Sequence, residues 1–173
     1  TQSNKRVTLY IKIPVATTEL KLQLYQNDGT LMAEASSGNI SRVPKESLLY
    51  AVLSPDGGEF TFLERISGRQ SDAAVALLTL DDLPETAVAW NSLDILIFND
   101  IDTSQLTSNQ RSALESWLNN GGQLIITGGA NWQKTAGTLA DLLPVTVVGS
   151  QSVDDLPGLR ERIGIPFRDP GPY

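Results

Sequence analysis

Neither cysteine nor histidine occurs anywhere in the chain. Without cysteine there is no disulfide, no thiolate nucleophile and no sulfur-ligated zinc or iron–sulfur site. Without histidine the usual general base near neutral pH is gone, and with it the commonest transition-metal ligand. A cysteine-free composition also fits an exported protein that avoids stray oxidation. Long hydrophobic runs are lacking too: no stretch approaches the roughly 18–20 apolar residues of a membrane-spanning helix, so this segment is not expected to insert into a bilayer. Positive charge is thin and scattered, with 13 Lys and Arg against 20 Asp and Glu and a net charge of −7. Binding phosphates takes clustered basic residues. Neither nucleic-acid binding nor docking on an anionic membrane surface is therefore expected. The opening Thr1-Gln2-Ser3-Asn4-Lys5-Arg6 carries no signal-peptide apolar stretch and no initiator Met, as expected of an excised piece or a mature form.

What is present is ordinary for a globular domain: 173 residues, 40% hydrophobic and 19% charged, enough to build a core without staples. Residues 1–46 read as β only. Val7, Leu9, Ile11 and Ile13 alternate with more polar neighbours, and Leu20, Leu22 and Leu24 repeat that period-2 pattern. Asn27-Asp28-Gly29 is a hairpin turn leading to a return strand over Leu31–Ala35. Three strands cannot enclose a core. The segment is expected to be the end of a preceding β-sandwich, or to pair with a flanking domain or a second copy through its open edge.

After Val43-Pro44 the pattern changes. Leu48–Leu53 is a continuous apolar run, the signature of a parallel strand buried on both faces; Ala74–Leu80 reads as a second buried strand, Leu93–Phe98 as the third and Leu124–Thr127 as the fourth. Helical stretches alternate with them, one after Gly57-Gly58 with Phe60, Leu63 and Ile66 on a shared face. The next is the strongest. Thr107 and Gln110 form a capping box, Ala113, Leu114, Trp117 and Leu118 make a buried stripe, and Gly121-Gly122 stops the helix. Trp132–Leu143 reads as a further helix and Val145–Val148 as a fifth strand. Residues 47–150 thus predict an α/β domain with a doubly wound, mostly parallel five-stranded sheet. Residues 151–173 form a Pro/Gly-rich tail. Trp90 and Trp117 are expected in the core.

In open α/β sheets ligands bind beyond the carboxyl ends of the strands. Three loops lie there. Ser54-Pro55-Asp56-Gly57-Gly58 offers backbone N–H groups at a helix start, but Asp56 and Glu59 stand where an anion would sit, and turn-plus-cap is the plainer role. Asn99-Asp100-Ile101-Asp102-Thr103 resembles the haloacid-dehalogenase-like phosphotransferases, which place a nucleophile (here Asp100) and an acid/base (Asp102) beside Mg²⁺. Thr127, ending the next strand, resembles their second motif, whereas Gly149-Ser150 through Asp154-Asp155 lacks the first acidic residue of their metal motif. Asp100, Asp102 and Ser104 are otherwise caps of the following turn. The third loop is Gly128-Gly129-Ala130-Asn131-Trp132.

The runs Leu93–Asp100, Leu106–Leu118 and Gly121–Gly129 resemble class I glutamine amidotransferase-like domains of flavodoxin-like fold. More narrowly, they are similar to non-amidotransferase relatives in large bacterial surface and membrane-anchored proteins, over about residues 48 to 148. The resemblance implies a nucleophilic Cys at a strand-to-helix elbow, activated by His. The matching turn is Thr127-Gly128-Gly129, where no Cys stands, and no His exists to activate a substitute. The expectation is a non-enzymatic binding or structural module, without a cofactor, on the outer side of the cytoplasmic membrane. Its cleft would be lined by Asp56, Gly57, Asn99, Asp100, Gly128, Gly129, Asn131 and Trp132, with Asp100 and Asp102 as the residues able to attract a divalent cation.

Overall fold

The computed structural model describes residues 7–13, 17–40, 42–65, 73–128, 131–149, 151–152 and 157–163. Strands β1 (Lys21–Tyr25) and β2 (Leu31–Ser36) form an antiparallel hairpin. Gly29 closes its turn at φ +87°, and the Asp28 carboxylate accepts from Thr30 N–H at 2.9 Å. One face carries Leu22 and Leu24 opposite Ala35 and Ala33; on the other, Gln23 donates to Glu34 at 2.5 Å. Both faces are exposed.

Strands β3 (Leu48–Leu53), β4 (Ala73–Leu77), β5 (Ile95–Phe98) and β6 (Gln123–Ile126) form a parallel sheet in the order β4-β3-β5-β6. The chain leaves β3 for β4 on one side, then crosses back past β3 to β5. The strand order therefore reverses between β3 and β5.

Burial on two faces explains the apolar sequences of β3 and β5, whereas β4 and β6 are only partly covered. Tyr50, Val52, Ile95 and Ile97 face one layer, where Leu63 and Phe60 of the turn after β3 cover them. Ala51, Leu53, Leu96 and Phe98 face the other, packed with Leu124, Ile126 and helix α1 (Ser108–Asn119) through Ala113, Leu114 and Trp117. Trp90 seals this layer, its ring 5.5 Å from that of Trp117 and tilted by 35°. Both indoles satisfy their N–H groups, Trp90 on Pro84 O at 3.0 Å and Trp117 on Leu93 O at 3.2 Å.

Helix α1 begins with the capping box: Gln110 N–H donates to the Thr107 hydroxyl at 3.2 Å and Thr107 N–H to the Gln110 side chain at 3.0 Å. The buried Gln110 amide also donates to Leu80 O (2.7 Å) and Leu83 O (3.1 Å), pinning α1 to the turn after β4. At the other end Gly121 adopts φ +101°.

Three expectations need correction. Val7–Ile13 forms no strand: Val7 and Leu9 stay exposed, and alternation without a ladder partner does not make a sheet. The contact of that segment with the α/β unit runs through the Tyr10 hydroxyl, which accepts from Glu85 N–H at 2.8 Å. The sheet has four strands among the described residues, not five. Residues 145–148 are irregular, with Val148 94% exposed, because β-branched propensity alone supplies no hydrogen-bonding partner. The helical layers are also thinner than expected. Gly57–Arg65 is a 3₁₀ helix, and the stretch after β6 splits into α2 (Trp132–Ala136) and a 3₁₀ turn from Gly137 to Leu142, glycine being a poor α-helix former. Ile66 lies outside the described residues. A short helix α3 (Pro157–Ile163) follows in the segment read as a tail.

Candidate functional site

Strands β3, β5 and β6 each end on a hydrophobic residue followed at once by a polar one: Leu53-Ser54, Phe98-Asn99 and Ile126-Thr127. These polar residues join in a chain across the carboxyl edge of the sheet. The Thr127 hydroxyl donates to Asn99 Oδ1 at 2.7 Å, and Asn99 Nδ2 donates to Ser54 Oγ at 2.9 Å. Ser54 Oγ passes the chain on to Asp56 O at 3.1 Å. The tie crosses the point between β3 and β5 where the strand order reverses, the position at which doubly wound sheets open a ligand crevice.

Asp100 stands at the centre of that edge. Its backbone adopts φ +51°, the left-handed region, alone among the described non-glycine residues. Its Oδ1 is shielded from water and has no hydrogen-bond partner among the described residues. A left-handed non-glycine residue and a buried unpaired carboxylate oxygen each destabilise the fold, and such costs concentrate at functional sites.

Two clefts flank Asp100. One, of about 290 Å³, is lined by Asn99, Asp100, Thr127, Gly128, Asn131, Trp132 and Thr135. The other, of about 530 Å³, runs past Ser54, Thr79, Asp81, Asp102, Gln105 and Lys134. Trp132 also borders a larger apolar groove of about 850 Å³ beside β6, with Leu124, Ile126, Leu143 and Val147. The indole is thus a wall with an apolar side and a polar side. The base of the site is held by buried Thr103, whose hydroxyl donates to Thr135 O (3.1 Å) and is 2.6 Å from the Thr138 hydroxyl.

Of the residues expected from sequence, Asn99, Asp100, Gly128, Asn131 and Trp132 come together around one cleft. Gly129 lies outside the described residues. Asp56 and Gly57 stand apart: the Asp56 carboxylate accepts from Gly58 N–H at 3.0 Å, and a Cβ on Gly57 would come within 2.7 Å of the Leu77 methyls. Asp56 thus caps a turn, and Gly57 permits a close approach to Leu77.

Asp102 is likewise a cap. It accepts from the Ser104 hydroxyl (2.6 Å), Ser104 N–H (3.1 Å) and Gln105 Nε2 (3.3 Å). These hydrogen bonds, the Ser104 hydroxyl foremost, hold its carboxyl below the ordinary value of 3.8. Among the described residues no three His, Cys, Asp or Glu side chains gather into a metal-holding group.

No family model, curated protein or solved structure matches the chain. The functional reading therefore rests on residues and geometry.

Four further residues border the site: Ser54 and Thr127, which stood in the loops read from the sequence but not among the expected cleft lining, and Thr135 and Lys134, which were not singled out. The first two carried a usable signal, each being the first polar residue beyond an apolar strand. Thr135 and Lys134 carried none, because their placement depends on how α2 folds back over the strand ends.

An acid response follows from the hydrogen-bonded carboxylates. Asp141 is held below its ordinary value chiefly by the hydrogen bonds of Arg111, whose guanidinium meets both oxygens at 2.6 and 2.8 Å. Asp28 and Asp102 are lowered too. A depressed folded-state pKa contributes stability above the unfolded value, and that stability is lost as pH falls through the folded one. The melting temperature is expected to be flat near neutrality, where no histidine titrates. It should fall as pH drops below about 4, with a shallower fall in Asp141→Asn. Circular-dichroism melts from pH 7 to pH 2 measure both slopes.

Proposed function

We propose that this chain is a non-catalytic, glutamine-amidotransferase-like binding or structural module of a larger bacterial surface or membrane-anchored protein. Its ligand occupies the crevice beyond the carboxyl ends of β3, β5 and β6. Within this reading the β1–β2 hairpin meets a flanking domain or a second copy.

The observation that carries the reading is Asp100: a left-handed backbone and an unpaired carboxylate oxygen at the tip of a central strand, beside two clefts. Packing alone gives no reason to keep that combination. Support for a binding role over catalysis comes from a chain without Cys or His and from an Asp102 whose oxygens are engaged within its own turn.

If Asp100 serves a ligand, the free protein should be more stable without it. Asp100→Gly removes the left-handed penalty and the unpaired oxygen, partly offset by glycine's greater unfolded-state freedom. A net gain of about 1 kcal/mol in urea unfolding is expected. A loss of stability would make Asp100 a structural residue and remove the foundation of the reading. Turnover of glutamine, or Mg²⁺-dependent turnover of p-nitrophenyl phosphate that vanishes in Asp100→Asn, would replace binding with catalysis, the second through an Asp100/Asp102 phosphotransferase.

A further inference from the structure

The cleft between Asp100 and Trp132 carries a definite chemistry. It joins a carboxylate with an uncompensated oxygen, the half-buried indole of Trp132, the exposed amide of Asn131, and the hydroxyl of Thr127. No ion pair to Asp100 exists among the described residues; the ammonium of Lys134 lies in the neighbouring cleft, which Asp100 and Asp102 both border. A carboxylate left without a partner at a partly dehydrated site is stabilised by a cation brought to it. An aromatic face in the same wall attracts cations that are weakly hydrated, organic ammonium groups above all. A small hard metal ion is disfavoured, since no cluster of three acidic ligands stands there among the described residues. The cavity, at about 290 Å³, is matched to a small molecule.

We propose that this cleft binds a small organic ammonium ligand, its positive charge on Asp100 and its alkyl groups against the face of Trp132. The proposal rests on the strand-tip crevice being a binding site and adds the class of ligand. Thr127 contributes by position: its hydroxyl donates to Asn99, which leaves its own oxygen turned to accept from a donor in the cleft. The net charge of −7 attracts cations to the molecule as a whole.

The test is titration of the whole chain with choline and with 3,3-dimethyl-1-butanol, the same shape without the charge, read by tryptophan fluorescence and by calorimetry. Acetate and glucose serve as an anionic and a second neutral probe. Choline is expected to bind in the millimolar range and to perturb tryptophan emission. Asp100→Asn and Trp132→Ala should each weaken it about tenfold, Trp132→Phe should restore part of the loss, and Lys21→Ala, on the exposed hairpin, should leave it unchanged. Circular dichroism of each variant separates lost binding from lost folding. Equal binding of choline and its neutral isostere, dependent on Trp132, would overturn the ammonium assignment and leave the crevice standing as a site. Choline binding indifferent to Asp100→Asn and Trp132→Ala would place it elsewhere on the surface and overturn the proposal. Silence from all four probes would overturn the ammonium class and deprive the crevice reading of its simplest ligands.

Discussion

Trp90→Ala is expected to lower the unfolding free energy by about 3–5 kcal/mol, the usual range for truncating a large buried aromatic. Trp90 is 1% exposed, lies against Trp117, and sits among Leu83, Leu96 and Leu114 in the layer that joins α1 to the sheet. Truncation deletes that contact area, opens a cavity that rigid strands on one side cannot collapse into, and leaves Pro84 O without the indole donor. For a domain of this length the expected fall in melting temperature is about 10 °C. Trp90→Phe should recover more than half the loss by refilling most of the volume. Urea unfolding at neutral pH measures all of these. A Trp90→Ala loss below about 1 kcal/mol would mean that the layer is not closed as described.

The same layer shows what sequence can and cannot reveal. Leu48–Leu53 and Ile95–Phe98 were legible as inner strands because burial on both faces removes the polar alternation that an exposed strand must keep. The α1 helix was legible at both ends, since Thr107, Gln110 and Gly121 act locally and need no distant partner. Val7–Ile13 and Val145–Val148 have equally good strand composition, yet neither forms a strand. A strand exists only where a second strand meets its hydrogen bonds, and that partner is not written in the segment itself.

The site was legible to a similar degree. Rules for the carboxyl ends of parallel strands led to Asn99, Asp100, Gly128, Asn131 and Trp132, which do share a cleft. The same rules also selected Asp56 and Gly57, which serve a turn of their own. The left-handed backbone of Asp100 was not readable, because aspartate tolerates that conformation without requiring it. Nor was the Ser54–Asn99–Thr127 tie, which exists only once β3, β5 and β6 are in register.

Gly122→Ala tests how tightly that register is set, and about 3 kcal/mol of destabilisation is expected, the upper part of the overpacking range. A Cβ at this position would fall 2.2 Å from the Trp117 ring, at the carbons of its indole fusion. A flexible aliphatic tip would swing aside, but this indole cannot. Trp117 is 5% exposed, packed against Trp90, and tethered by its N–H to Leu93 O, the residue leading into β5. The glycine is no freer, for Gly122 N–H donates to Trp117 O at 3.0 Å and the next residue enters β6. Relief therefore has to come from moving β6 against β5 or from forcing Trp117 off Trp90, and either disturbs the edge that carries Thr127. Gly121→Ala is the companion variant: it meets open space but must hold φ +101°, so its loss should come from backbone strain alone, about 1–2 kcal/mol. Near-ultraviolet circular dichroism separates the two mechanisms. Gly122→Ala should change the tryptophan signal along with the stability, whereas Gly121→Ala should lower stability with the tryptophan signal intact. A silent Gly122→Ala would show that the helix-to-strand turn yields more easily than its contacts with Trp117 imply.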